Sequence, residues 1–392
     1  MAPKTFFVRG FDELTGYLRM TQARRIMVVT SPRRRFVEPL LAALAALDVR
    51  VFDGAQVHVP IEVLDAADAE LRDADAVVAL GGGAAIGLGK ALRVRHPHLG
   101  FVALPTTYSG SEMTSMYGTT TGTTKQTGKL EAARPDAVFY DPELTRELPL
   151  ALSIQSLTNG IAHVASILST SSLDPTARGD AQVAAATVVQ AIERLIADPT
   201  SGESRELAQR GASACGASFE LGKPGAQHGL AHLLGGALRV EHAALHSILL
   251  PHFIAHLRST QPAVIEELER VLAPPIRSIY SGALLEREHD LDCYLHDVLS
   301  RAGAPVALTA LGPAAPPAQI EAALATKPEL PANIARDALY GLRPPGRLGR
   351  LDLGSEPHAV IVGCEPANAK AILLALHGRG AEAGTIARRY RD

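Results

Sequence analysis

The chain has 392 residues, 47% of them hydrophobic and 20% charged, which is the composition of a globular protein of two domains or three. With 38 basic and 41 acidic residues the net charge is −3, and this excludes a generally basic surface built for nucleic acid. Aromatic residues make up only 4% and Trp is absent, so platforms for stacking bases or sugars are few. The local run Arg33-Arg34-Arg35 reads as a solvated helix start. Cys215, Cys293 and Cys364 are odd in number and widely spaced, so neither a disulfide framework nor a four-thiolate zinc site is expected. A reducing, cytoplasmic location follows as the simplest expectation. No apolar run approaches the roughly 18 residues of a membrane span, and the first residues lack the apolar core of a signal peptide.

Arg25 to Thr30 is a β-branched run stopped by Ser31-Pro32 and predicts a buried strand. Phe36–Leu47 has helical periodicity, Val49–Phe52 is a second strand ending at Asp53-Gly54, and Ile61–Leu71 is a helix. Ala76–Leu80 is a third strand running into Gly81-Gly82-Gly83, followed by a helix over Ala84–Val94 and a strand over Gly100–Pro105. Strands and helices alternating at this spacing predict βαβ units and a parallel sheet. Thr106 to Gly128 reads as a long loop or a pair of short strands, and Ala137–Tyr140 as a fifth strand. From about residue 150 the periodicity is helical, through Val183–Ile196, Glu206–Glu220, Val264–Leu272 and Leu291–Ala302. This places an α/β domain at 1–150 and a helical domain at 151–392. Pro-rich breakers at 314–317 and 343–347 set off a tail from about 342, with a strand expected at His358–Cys364 and a helix at Ala367–His377.

Three features carry chemistry. The first is Gly81-Gly82-Gly83, between a strand and a helix, where backbone N–H groups can meet a phosphate. It matches neither G-x-G-x-x-G, because Ile86 takes the last glycine position, nor a P-loop, and a tight βα turn would read the same way. The second is Pro105 to Glu112, rich in hydroxyls, at the same carboxyl edge of the sheet, where open α/β sheets bind ligands. The third is histidine. Six of the 14 histidines fall between 228 and 256, where an even spread would put about one. His228/His232, His242/His246 and His252/His256 are each i,i+4 pairs that share a helix face, as are Asn159 and His163. Gly235-Gly236 is expected to break the chain between the first two pairs, so that two helices present imidazoles for metal binding or proton transfer. His252 and His256 read as surface or packing histidines.

These stretches, in order over roughly residues 20–260, resemble the iron-containing alcohol dehydrogenase superfamily, which shares its fold with dehydroquinate synthase. The resemblance is carried by Val51–Pro60, Val77–Lys90, Leu104–Met113, Phe139–Pro149, Ser156–Val164, His228-x-x-x-His232-x-Leu234-Gly235-Gly236 and Glu241–His252. Within the superfamily the chain looks most like maleylacetate reductases. The resemblance implies a dehydroquinate synthase-like fold: an α/β dinucleotide-binding domain with a parallel sheet, an all-α C-terminal domain and an active site in the cleft between. It implies NADH or NADPH as cofactor. Gly81, Gly82 and Gly83 would lie at the pyrophosphate, Thr106, Thr107, Ser109 and Ser111 on the nicotinamide side, and Lys125 near the ribose. Ser31 stands where NAD-selective relatives have Asp, which with Arg33 nearby permits the 2′-phosphate of NADP.

The superfamily's metal positions fall on Asn159, His163, His228 and His242. Asn159 replaces the aspartate of the metal-dependent dehydrogenases, and maleylacetate reductases share that Asn, so no obligatory metal is expected. His163, His228 and His242 would be the ligands if one were present. Without a metal, His232, His242 and His246 become candidate proton donors, with His163, His228 and Asn159 supporting. Ala84, Leu157 and Ser166 depart from the usual Ser, Gly and Glu. The expected activity is hydride transfer to an activated C=C or C=O of an unsaturated oxo acid or related carbonyl. A non-redox lyase, dehydratase or cyclase using the same histidines is the alternative. The partner would be a small carboxylate-bearing substrate, with no nucleic acid and no membrane, and a homodimer is the family-level expectation.

Overall fold

A computed structural model describes residues 2–122, 124–238, 240, 242–279, 290–311, 316–344, 350–351 and 359–360. Packing divides the chain into two compact units, 1–225 and 226–392. Among the described residues no helix is long and apolar enough to cross a membrane.

The first unit opens with β1 (Lys4–Phe7), α1 (Asp12–Met20), β2 (Arg25–Val29), α2 (Val37–Ala43), β3 (Asp48–Phe52), α3 (Ile61–Leu71), β4 (Ala76–Gly81), α4 (Gly83–Arg95) and β5 (Gly100–Pro105). The hairpin β6 (Met116–Thr121) and β7 (Thr124–Lys129) follows, then β8 (Ala137–Tyr140). The six strands outside the hairpin form one parallel sheet in the order β1-β8-β5-β4-β2-β3. Its central strands are apolar on both faces because both faces are covered. On one face Val28, Val78, Leu80, Val102 and Phe139 pack with Leu14 and Leu18 of α1 and Leu40 of α2. On the other, Met27, Val77, Ala79 and Phe101 pack with Leu64 and Leu71 of α3 and Leu88 and Leu92 of α4. Burying each of the Val, Leu, Met and Phe side chains contributes roughly 1.5–3 kcal/mol, and Ala79 less.

The same unit continues with α5 (Leu150–Thr170), α6 (Pro175–Ala197) and α7 (Gly202–Glu220). The element type changes at Leu150, while packing keeps these three helices with the sheet. Helix α7 touches the loop after β5 through two glycines. Gly110 has φ +68°, and a Cβ on Gly216 would sit 2.2 Å from the Gly110 carbonyl oxygen. Arg205 of α7 is buried with every guanidinium nitrogen used. Its Nε and Nη2 donate to Pro199 O, Nη2 also to Leu148 O, and Nη1 to Ser153 Oγ and Tyr108 Oη.

The second unit holds α8 (Ala226–Leu238), α9 (His242–Thr260), α10 (Pro262–Ile279), α11 (Leu291–Arg301), α12 (Pro317–Ala325) and α13 (Ala332–Asp337). The expected break at Gly235-Gly236 is corrected: α8 runs through both glycines and ends at Leu238. Each glycine costs about 1 kcal/mol in a helix, and the packing of α8 on α9 and α12 outweighs that local preference. Arg258 of α9 donates to Glu269 Oε1 and Asp292 Oδ1, both at 2.6 Å, closing α9, α10 and α11 around a buried ion cluster. Of the proposed tail strand only Ala359–Val360 is described, paired antiparallel with Arg350–Leu351, and the tail helix lies outside the described residues.

Gly216→Ala places a methyl group against the Gly110 carbonyl. It is expected to destabilise the protein by about 1–3 kcal/mol, read as a lower urea midpoint at unchanged slope.

Candidate active site

The register of the sheet brings three chain segments to one edge. Val29 of β2 pairs with Ala79 of β4, and Gly81 of β4 pairs with Pro105 of β5. Ser31, Gly81–Gly83 and Thr106-Thr107 therefore follow three adjacent strands at their carboxyl ends. Gly82 is the N-cap of α4 and no side chain caps it among the described residues, so the first N–H groups of the helix remain available. A Cβ on Gly82 would lie 2.8 Å from Thr107 Cγ2, whereas one on Gly83 would meet nothing within 4 Å. The turn is thus pressed against Thr107 on one side and open on the other. Thr106 N donates to Gly81 O at 3.0 Å, joining the two turns.

The segment from Thr106 to Met116 is held at several points. Tyr108 N donates to Ser156 Oγ at 3.0 Å, and Arg205 reaches the Tyr108 hydroxyl at 3.2 Å. Ser115 N and Oγ both donate to Glu220 at the end of α7, at 2.9 and 2.8 Å. Burial raises the Glu220 carboxyl, but the bonds from Ser115 and Lys129 outweigh it and hold the pKa below the usual range. Lys90 of α4 donates to the carbonyls of Ser111, Thr114 and Met116. Glu112 is buried and accepts from the Tyr140 hydroxyl at 2.7 Å, and burial raises its pKa.

Among the other expected cofactor residues, Ser31, Thr106, Thr107, Ser109 and Ser111 are half-buried. Lys125 lies opposite Thr120 in the hairpin, and its side chain lies outside the description. The hairpin is fixed to the loop after β3. Thr120 N donates to Val59 O at 3.0 Å and Thr120 Oγ1 to His58 O at 2.9 Å. His58 and Val59 both have positive φ, +67° and +48°, and for β-branched Val59 that conformation is strained.

Asn159 and His163 lie one turn apart on α5. Asn159 Oδ1 is buried with no hydrogen-bond partner among the described residues. The His163 ring stacks on Phe219 with centroids 4.2 Å apart, and burial pushes its pKa down to about 4, so it is neutral at pH 7. In the second unit His228 is buried and its ring centroid is 4.4 Å from that of His246, while His232, one turn on, is exposed. Gln227 fixes the His246 ring. Its Nε2 donates to the His246 carbonyl at 2.9 Å, so Oε1 faces His246 Nδ1 at 3.0 Å and requires a proton there. His242 begins α9, and its side chain lies outside the description. His252 is buried and His256 half-buried. Burial raises the thiol pKa of Cys215 and Cys293, which makes both poor nucleophiles.

Sequence reasoning missed Lys90, Arg205 and Gln227. Only Lys90 left a signal there, as a charge inside the apolar run Leu88–Leu92.

Comparison with known proteins converges on one family. Residues 3–142 match "Iron-containing alcohol dehydrogenase" and residues 155–333 match "Fe-containing alcohol dehydrogenase family, C-terminal". Maleylacetate reductase 1 of Cupriavidus pinatubonensis is 37% identical over 318 residues, covering 80% of this chain and 85% of that protein. Maleylacetate reductase of Burkholderia cepacia is 35% identical over 343 residues, covering 86% and 93%. The crystal structure of maleylacetate reductase from Agrobacterium tumefaciens superposes with a TM-score of 0.74 at 32% identity, covering 88% of this chain and 98% of that one.

The low pKa of His163 has a consequence for stability. Between the ordinary value of 6.5 and about 4 the unfolded chain binds a proton there that the folded chain does not. The His163 contribution is full above pH 6.5 and is lost as pH falls toward 4, by about 3 kcal/mol. Urea denaturation across that window should show a shallower pH slope for His163→Gln than for the wild type.

Proposed function

The chain belongs to the iron-containing alcohol dehydrogenase family and is an NAD(P)-dependent oxidoreductase, and we propose that it works as a reductase of the maleylacetate reductase type. In this reading it takes NADH or NADPH and reduces the activated double bond of a 2-en-4-oxo acid, or a related carbonyl. The observation that carries the reading is the uncapped N-terminus of α4 behind a glycine turn that is open at Gly83. That cradle fits a dinucleotide pyrophosphate, which Gly81, Gly82 and Gly83 would hold. Thr106, Thr107, Ser109 and Ser111 would line the nicotinamide side, and Lys125 would approach the ribose. Ser31 leaves room for a 2′-phosphate. A bound reduced nicotinamide supplies a hydride.

Hydride addition to the conjugated system moves an electron pair onto the carbonyl oxygen, and a proton must then be delivered. The histidines are not equivalent for that task. His163 is neutral at pH 7, so it can donate or accept a hydrogen bond but carries no extra proton to give. His246 has its Nδ1 proton committed to Gln227. His232 is exposed, and we assign it the donor role, with His242, His246 and His228 supporting. Asn159, whose buried Oδ1 has no partner among the described residues, would orient a donor group of the ligand.

Iron, which the family name implies, does not fit the residues at the superfamily's metal positions, Asn159, His163, His228 and His242. Helix α5 from Leu150 to Thr170 carries no carboxylate, and neither do α8 and α9. A donor set of one amide and neutral imidazoles leaves the ion's double charge uncompensated. The reading therefore uses no metal. A homodimer and a cytoplasmic location belong to the same reading.

Four outcomes test it. Fluorescence titration of the purified protein with NADH and NADPH should show saturable binding of at least one, while binding of neither would move the assignment to a non-redox reaction of the same histidines. His232→Ala should lower kcat about 10²-fold or more with little change in melting temperature. Exhaustive chelation should leave activity intact, and Asn159→Asp, which restores an anionic donor, should raise bound metal measured by elemental analysis. Full loss of activity on chelation would overturn the metal-free reading.

A further inference from the structure

The Lys90 side chain is 1% exposed and sits two turns along α4 from the glycine turn. Its Nζ lies 2.5 Å from Ser111 O, 2.9 Å from Thr114 O, 2.8 Å from Met116 O and 3.0 Å from Thr114 Oγ1. Three carbonyl dipoles of one short turn thus converge on a single nitrogen. Oxygens so arranged repel one another unless a cation lies between them, and an ammonium with three N–H groups is suited to that place. No carboxylate contacts Nζ within hydrogen-bond distance among the described residues. Its partners are parts of the loop itself, so the contact sets loop shape more than it neutralises charge.

The same loop carries Thr106, Thr107, Ser109 and Ser111, and the same helix carries Gly83 at its first turn. One side chain therefore joins the two halves of the candidate cofactor site from beneath. We propose that Lys90 is a positioning residue for the dinucleotide: its ammonium holds the Ser111–Met116 turn to α4 and so fixes Thr106–Ser111 against Gly82-Gly83, without touching the ligand. This rests on the reductase reading.

The groups facing Lys90 make its charge titrate in an accessible range. Burial lowers its pKa to about 7, Glu112 in the loop and Glu220 of α7 raise it, and Arg134 before β8 lowers it. Tyr140 of β8 faces Glu112 and holds its carboxyl by a hydrogen bond. Once deprotonated, the amine has two N–H groups and a lone pair to set against four oxygens, and the turn loosens.

The test is the affinity for NADH and NADPH, read by fluorescence from pH 5.5 to 9 on wild type and Lys90→Met. Wild type should bind tightly below pH 7 and weaken about tenfold above it. Lys90→Met should bind weakly at every pH, with no such transition. Calorimetry of the wild type near pH 7.5, in two buffers of different ionisation enthalpy, should show proton uptake on binding, and this measurement needs no variant to fold. Affinity flat with pH, no proton uptake and unchanged binding by Lys90→Met would overturn the role of Lys90. Failure of wild type to bind either nucleotide at any pH would instead overturn the reductase reading.

Discussion

Two buried cations, with no carboxylate in contact among the described residues, organise the first unit. Arg205 directs its five N–H groups at backbone and hydroxyl oxygens of four residues, and Lys90 sits among four oxygens of one turn. Removing a charge from water costs several kcal/mol, so a buried cation is poor value as a simple stabiliser. What it provides is direction, because carbonyl groups must point at it. The two cations grip opposite ends of the Thr106–Met116 segment, and the Gly110–Gly216 contact holds its middle. A loop rich in Thr, Ser and Gly, which would be mobile by composition, is thereby fixed to a helix and a sheet edge.

Much of this fold was legible in the residues themselves. The central strands and α3 emerge from simple patterns because both sheet faces are covered and each strand is a short unbroken apolar run. Strand β1 was missed: Lys4–Phe7 is short, its first two residues are exposed, and its partner among the described residues, β8, begins at Ala137. Gly235-Gly236 was misread as a break because local propensity was taken alone, while packing on neighbouring helices carries α8 through it. Helix α2 ends at Ala43, short of the expected Leu47, for apolar spacing continues past the last helical hydrogen bonds.

The candidate site divides in the same way. Backbone-based features, the glycine turn and the hydroxyl loop after β5, were visible because glycine and strand ends constrain geometry directly. The histidine spacing showed which residues share a face but not how deep they lie, so buried His228 and exposed His232 looked alike. Gln227 left no signal in the sequence, and Lys90 showed only as a charge inside an apolar run, without its partners. Their partners are backbone oxygens of distant turns or a ring nitrogen across a helix pair, and such atoms leave no trace in residue identity.

The anchoring of the Thr106–Met116 segment bears on how this scaffold can be re-engineered. Loops at the carboxyl edge of a sheet are usually treated as modules to be exchanged between relatives for new specificity. Here the segment is shaped by Lys90, Arg205, Gly216 and Glu220, which lie outside it on two helices. A graft of the loop alone would arrive without the atoms that fold it. The transferable module is the loop together with those four residues, and any design that swaps one without the others exchanges letters but not shape.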